Sequence, residues 1–192
     1  MEVVLSMRYS SRMVIFICGL VGVGKTSLAK ALSSRLKVPY CDADLIKARF
    51  IAPQHRGTAT VPLSDRTREQ VSRALARELS CAAAGHRYII VDDTLHRRGS
   101  RGILLDAATQ YFGGYIIVRV SAPEQMVERR LTGIRHSHLL TEKNLKGIRA
   151  AVAAQLQDFD EPVLEHDNSV PFEDSIERLT ALVISNSKMG TE

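Results

Sequence analysis

The sequence predicts an α/β domain with a parallel sheet covered by helices on both faces, and three observations predict it. Strand-like and helix-like segments alternate along almost all of the 192 residues. The strands read as near-continuous apolar runs, as strands buried on both faces do. No repeat, low-complexity tract or linker divides the chain, and its length suits one domain.

Each element follows from its residues. Met13 to Cys18 is an unbroken apolar run ending at glycine, the first strand. Leu28, Leu32 and Leu36 form the stripe of the helix after it. Residues 38–41 make a short second strand, with Pro39 at its start or edge. Residues 52–62 carry Pro, Gly, Thr and His without periodicity and predict a surface loop. A helix over 65–84 presents Val71, Leu75, Leu79 and Ala82 on one face, and Gly85 stops it. Strand 88–91 precedes a helix over 99–112 with Leu104, Leu105, Ala108 and Phe112 inward; Gly113 and Gly114 end it. Strand 115–120 leads to a helix start in which Ser121 caps, Pro123 sits just inside and Glu124 lies three residues after the cap. Val127 and Leu131 continue that helix to 132. Residues 133–140 are basic and polar. Thr141 caps a helix with Leu145, Ile148, Val152 and Leu156, strand 163–166 follows, and a helix from Phe172 to Ile184 closes the domain on Ile176, Leu179 and Val183. The expected organisation is a flexible extension over 1–12, a single domain over 13–184 with a lid at about 133–141, and a flexible tail over 185–192.

Composition narrows the setting. Hydrophobic residues make up 45% of the chain and there is no Trp, so the core is aliphatic. The net charge of +5 fits a nucleic acid partner and fits equally an ATP-binding protein with a phosphorylated metabolite. Cys18, Cys41 and Cys81 match no metal spacing and predict reduced, mostly buried thiols of a cytoplasmic protein. No apolar run approaches the roughly 18 residues of a membrane span, and the start lacks a basic n-region, so neither a membrane partner nor a secretory signal is expected.

The chemistry is concentrated in Gly19-Leu20-Val21-Gly22-Val23-Gly24-Lys25-Thr26, which fits G-x-x-x-x-G-K-[ST] between a buried strand and an amphipathic helix. Glycines let the backbone curl so that successive N–H groups surround a β-phosphate, and the helix start adds its positive dipole end. The Lys25 ammonium reaches the β- and γ-phosphates, and the Thr26 hydroxyl suits Mg²⁺; Ser27 completes the contact segment. ATP and Mg²⁺ are the implied cofactors.

Ligands of an open α/β sheet bind beyond the carboxyl ends of its strands. Asp42 and Asp44 follow strand two there, and Asp92 and Asp93 follow strand three. Asp92 ends an apolar run in the manner of a Walker-B carboxylate and suits Mg²⁺. Asp44, or Asp42, can accept the proton of an attacking hydroxyl, or can cap the next helix instead. Asp42 and Asp93 are also candidates for contact with the acceptor. Arg129, Arg130 and Arg135 can close on the transferred phosphoryl group or form a solvated face. Arg97, Arg98 and Arg101 make a second basic cluster that binds an anionic substrate or keeps a helix soluble. The histidines, His136 and His138 included, form no helical metal pair. No Asn-Lys-x-Asp guanine motif occurs.

These residues resemble the small P-loop kinases related to polynucleotide kinase, adenylylsulfate kinase, zeta-toxin and chloramphenicol phosphotransferase. The likeness spans residues 13–184 and rests on GLVGVGKTSLAKAL, DADLIK, AAAGHRYIIVDDTLHRRGSR, SAPEQMVERRL and FDEPVLEHDNSVPFEDSIERL. It implies a three-layer P-loop fold with a five-stranded sheet in the order 2-3-1-4-5. It implies Asp44 as the base, with Lys47 where the group usually has a phosphate-binding arginine, and Arg130 and Arg135 as the lid arginines. Asp92-Asp93-Thr94 with Ser100-Arg101 also resembles the seryl-tRNA(Sec) kinase branch, which has asparagine where Thr94 stands. The expected function is a kinase moving the γ-phosphoryl of ATP to a hydroxyl of a small-molecule or nucleoside-type acceptor. The alternatives are an RNA or polynucleotide-end kinase and a regulatory P-loop ATPase. Lys47, Arg98 and Arg101 are the candidate cationic contacts to the acceptor. A monomer or homodimer is expected.

Overall fold

Alternate burial of one strand organises the molecule. In the computed structural model, which describes residues 12–51, 63–132 and 145–187, β1 (Met13–Cys18) lies at the middle of the sheet with five of its six residues buried. Val14, Phe16 and Cys18 face one layer, where they meet Val71, Leu75 and Leu79 of α3 (Asp65–Ala83) and Leu104, Ala108 and Phe112 of α4 (Arg98–Phe112). Ile15 and Ile17 face the other. There they meet Leu28 and Leu32 of α1 (Lys25–Leu36), Val127 of α5 (Glu124–Thr132), and Leu179 and Val183 of α7 (Phe172–Ser187). This two-sided burial is why β1 is apolar at every position rather than at every second one.

The remaining strands are β2 (Tyr40–Asp42), β3 (Tyr88–Asp92), β4 (Tyr115–Ser121) and β5 (Leu164–Asp167), and the remaining helices are α2 (Ala43–Arg49) and α6 (Leu145–Ala154). The sheet is parallel throughout, in the order β2-β3-β1-β4-β5, as the resemblance implies. The order places the loop after β1 at the centre of the carboxyl edge, with the ends of β2 and β3 on one side and those of β4 and β5 on the other.

Several local expectations shift. Strand β2 begins after Pro39, whose carbonyl accepts from Ile90 N at 2.9 Å although it has no N–H to return. Ser121 is the last residue of β4, paired with Asp167, and does not cap α5; the first helical bond there runs from Val127 N to Pro123 O. Helix α7 continues through Ser187, three residues beyond the expected end, with Ser187 buried. Arg12, assigned to the flexible extension, is anchored: its Nη2 donates to the carbonyls of Ala83 and His86, and its guanidinium lies over the Phe112 ring. Of the thiols, Cys18 is buried, Cys41 half-buried and Cys81 exposed, which corrects the expectation for Cys81. No described helix is long and apolar enough to cross a membrane.

Packing of α3 on β1 and α4 sets a stability prediction. Leu79 is 1% exposed, so Leu79→Ala should cost about 2–5 kcal/mol in urea unfolding, whereas Glu78→Ala beside it should cost under about 1 kcal/mol. Equal costs would contradict the assigned buried face.

Candidate active site

The loop between β1 and α1 has a backbone that side chains would block. Gly19 has φ +134°, and a Cβ there would stand 2.3 Å from the Val120 carbonyl oxygen. Gly24, the N-cap of α1 with φ +97°, would bring a Cβ to 2.4 Å from Asn168 Nδ2. A loop that aims its N–H groups at a phosphate turns carbonyls outward, and these need partners. Lys25 Nζ donates to Leu20 O at 3.1 Å. Arg149 Nη1 donates to Val21 O, and Arg149 Nη2 pairs with Glu124 Oε2 at 2.5 Å. Val23 O accepts from Arg130 Nη1 at 3.0 Å and from Asn168 Nδ2 at 2.7 Å.

Asn168 is 3% exposed and is itself held. Ser175 Oγ donates to Asn168 Oδ1 at 2.7 Å, so the single hydroxyl proton is committed and His166 Nε2–H donates to Ser175 Oγ at 2.9 Å. Burial lowers the His166 imidazole, partly offset by Asp167, in keeping with a neutral ring. Arg130 Nη2 also donates to Asn168 O at 2.9 Å. Arg149, Asn168, Ser175 and His166 were not found by sequence reading. Position beyond the end of the last strand could have pointed to Asn168, whereas nothing distinguishes Arg149 from a solvated helix arginine.

At the end of β3, Thr26 Oγ1 donates to Asp92 Oδ2 at 2.5 Å, and Tyr40 OH donates to the same oxygen at 3.4 Å. Burial raises the Asp92 carboxyl, the nearby carboxylates Asp44 and Asp42 add to this, and Lys25 and the Thr26 bond oppose it. An alcohol and a carboxylate oxygen, crowded by further negative charge, are the hard donors that Mg²⁺ prefers, with its remaining ligands drawn from phosphate and water. Among the described residues no group of three His, Cys, Asp or Glu could hold an ion unaided.

Lys47 organises the acidic side of the cleft. Its Nζ lies 2.8 Å from Asp93 Oδ1 and 3.1 Å from Asp44 Oδ1. Burial works against its charge, but the two carboxylates outweigh burial and hold it well above the ordinary lysine range. The same pairing, with Thr94 N donating to Asp93 Oδ1 at 2.6 Å, keeps Asp93 below the ordinary range despite its burial. Asp42 Oδ1 accepts from Asp44 N at 2.9 Å and is the N-cap of α2, the capping alternative weighed for this pair.

From Asp93 a chain of polar contacts leads away. Thr94 Oγ1 donates to Asp93 Oδ1 at 3.3 Å, so His96 Nδ1–H donates to Thr94 Oγ1 at 2.7 Å and His96 Nε2 accepts from Arg68 Nη1 at 2.9 Å. These contacts border a cleft of about 370 Å³, counting its open mouth, lined by Lys47, Arg68, Ser72, Asp93, His96 and Arg97 among others.

Two expected acceptor contacts have partners within the protein. Arg101 is fully buried, and its guanidinium donates to Leu95 O at 3.0 Å and Asp158 O at 2.7 Å, pairs with Glu161 at 3.1 Å and stacks on Phe159 at 4.1 Å. It fastens α4 to the segment before β5, and the residue also lines the cleft. Arg98 lies exposed and pairs with Asp160 at 3.1 Å. Arg135, the lid at 133–141, His136, His138, the Thr141 cap and the expected surface loop over 52–62 lie outside the described residues.

Comparison with known proteins bears on family and fold. A family model described as AAA domain matches residues 14–162. Among solved structures, a sugar kinase from a Janibacter species superposes with a TM-score of 0.69 at 22% identity, over 94% of this chain and 99% of that one. A gluconokinase from Sinorhizobium meliloti gives 0.68 at 19%, over 92% and 94%. The APS kinase CysC of Mycobacterium tuberculosis, solved with AMPPNP and APS, gives 0.61 at 18%, over 90% and 98%. These likenesses establish a shared fold, that of the small P-loop kinases named from the motifs. A search of curated proteins finds no match.

Two measurements check the geometry. Arg101→Met should lower stability by about 3–5 kcal/mol in urea unfolding, because it orphans a largely buried carboxylate, while Arg98→Ala should cost no more than about 1 kcal/mol. Equal, small effects would place Arg101 at the surface. Burial and then the Arg68 charge lower the His96 imidazole from 6.5 to about 4. The unfolded chain therefore takes up the proton first, so this group's contribution is intact above about 6.5 and is lost as pH falls towards about 4. His96→Gln should flatten the stability–pH curve in that window, leaving the slope due to His166.

Proposed function

The chain belongs to the AAA domain family, and from that membership and the site geometry we propose that it is a kinase moving the γ-phosphoryl group of ATP to a hydroxyl of a small-molecule acceptor. The observation that supports this reading is that Lys47, a wall residue of the polar cleft, bridges Asp44 and Asp93 just beyond the carboxyl ends of β2 and β3.

The loop Gly19–Thr26 and the dipole end of α1 bind the β- and γ-phosphates of ATP. Lys25 exchanges its bond to Leu20 O for phosphate oxygens and follows the charge that builds on them. Thr26 and Asp92 are the residues that would hold Mg²⁺, which when bound neutralises phosphate charge. An acceptor hydroxyl gives its proton to an Asp44 carboxylate oxygen as it attacks the γ-phosphorus, and the bond from that phosphorus to the β-phosphate oxygen breaks to release ADP. Lys47 orients that carboxylate, and it binds acceptor oxygens in place of the arginine usual in related kinases. Arg130, tied to Val23 O, sets the loop and shifts towards the transferred group; the role of Arg135 rests on the motif resemblance. The ATPase-switch alternative needs a carboxylate beside Asp92 to orient water. Asp93 is engaged by Lys47 and Thr94 instead, which supports transfer. The free thiols and ATP requirement fit a cytoplasmic enzyme.

A screen with γ-labelled ATP against sugars, sugar acids, nucleosides and RNA ends tests this directly. With the acceptor found, Lys25→Ala should reduce turnover about 10²–10³-fold. Asp44→Asn should reduce transfer about 10²–10⁴-fold while nucleotide affinity stays within about twofold. Transfer by Asp44→Asn at the wild-type rate would remove Asp44 from the mechanism, and labelling of RNA ends alone would favour the polynucleotide reading.

A further inference from the structure

Cations around the cleft are unevenly matched with anions. Lys47 has Asp44 and Asp93, Arg49 has Glu78, Arg98 has Asp160 and Arg101 has Glu161. Arg68 and Arg97 have none: among the described residues no carboxylate pairs with either. Arg68 Nη2 at 3.3 Å and Arg97 Nη2 at 2.9 Å instead share one neutral oxygen, Gln155 Oε1. The other Arg68 donors go to Leu63 O at 2.8 Å and to the neutral His96 ring. Arg97 Nε is buried and has no hydrogen-bond partner. Two guanidinium groups therefore converge on the cleft, half-buried, with one amide oxygen between them. Burial first and the Arg97 charge second lower Arg68, with Asp65 and Asp93 opposing them from beyond ion-pair distance. Such an arrangement is costly unless an anion completes it, and a planar pair of guanidinium forks matches the geometry of an oxyanion.

We propose that the cleft holds an oxyanion group of the acceptor, a carboxylate, sulfate or phosphate, between Arg68 and Arg97. The same cleft is lined by Lys47 and Asp93, so an acceptor anchored by its anion on the arginines extends its hydroxyl towards Asp44. The acceptor class is thus a small hydroxylated anion such as a sugar acid or sugar phosphate. The word acceptor rests on the phosphotransfer reading; the anion site does not.

The test titrates inorganic phosphate, and separately sulfate, into the full chain with Mg·ADP present to fill the loop. The Arg97 Nε–Hε resonance, assigned by its loss in Arg97→Lys, should shift on titration and the Tm should rise. Arg97→Met and Arg68→Met should weaken the anion about 10- to 100-fold. Gln155→Glu gives a test of opposite sign that does not depend on a destabilised variant: it should raise the Tm of the free protein and weaken the added anion, a pairing that a merely structural role would not produce. In γ-labelled ATP assays, gluconate against glucose and ribose 5-phosphate against ribose should differ at least about 10-fold in kcat/KM in favour of the charged member, and Arg97→Met should erase the difference. An unmoved Arg97 resonance, unchanged anion affinity in Arg97→Met, or better use of the neutral members would overturn the site. Anion binding that depends on Arg97 and Gln155, with no phosphoryl transfer to any acceptor, would uphold the site and defeat the kinase reading instead.

Discussion

A backbone loop cannot face its N–H groups inward without facing its carbonyls outward, and most of the unusual contacts of this protein answer that constraint. Leu20 O, Val21 O and Val23 O each receive a donor from Lys25, Arg149, or Arg130 with Asn168. The demand propagates. Asn168 can donate to Val23 O only if its own oxygen is satisfied, which Ser175 does, and Ser175 is in turn supplied by His166. A Cβ at Gly24 would occupy the space of the Asn168 amide, so the glycine and the distant asparagine are two parts of one fit. Buried polar chains of this kind are favourable only when every member is satisfied.

On the opposite side of the cleft, burial sorts charges that are alike in composition. Three arginines within five residues of sequence, and Lys47 from another element, have four different fates. Arg101 is fully enclosed and serves the backbone; Arg98 is solvated; Lys47 is clamped between two carboxylates; Arg97 remains short of a partner. Leu95, at φ +50°, is a backbone conformation that a leucine rarely adopts, and its carbonyl is met by Arg101. The enclosed arginine thus helps shape the cleft wall.

The layers of the fold were legible because they depend on local pattern. Apolar runs at 13–18 and 88–91, and stripes such as Leu75–Leu79 and Leu104–Ala108, are set by periodicity within one element. The glycines and lysine of the loop were legible for the same reason: their chemistry is contiguous. Sheet order came only from resemblance, since which strand neighbours which is a long-range choice. The structural ties of Arg101 were not legible because an enclosed arginine and a solvated one look identical until the residues around 158–161 are brought against it. Asn168 and Arg149 were missed because their partners are backbone carbonyls, which leave no mark in a sequence. Ser121 was assigned to a cap by a valid local pattern, but pairing with β5 prevailed.

Three of the four side chains that steady the outer carbonyls of the loop are 107, 128 and 145 residues away from them along the chain. Contacts of such separation form late, after the loop-closure entropy between them has been met, and a chain emerging from its N-terminus makes them last. The loop after β1 ends at Thr26, yet its geometry is completed by Asn168, beyond β5. The loop's shape is therefore set only when β5 and α7 have docked, which makes it a reporter of domain assembly rather than a self-contained module.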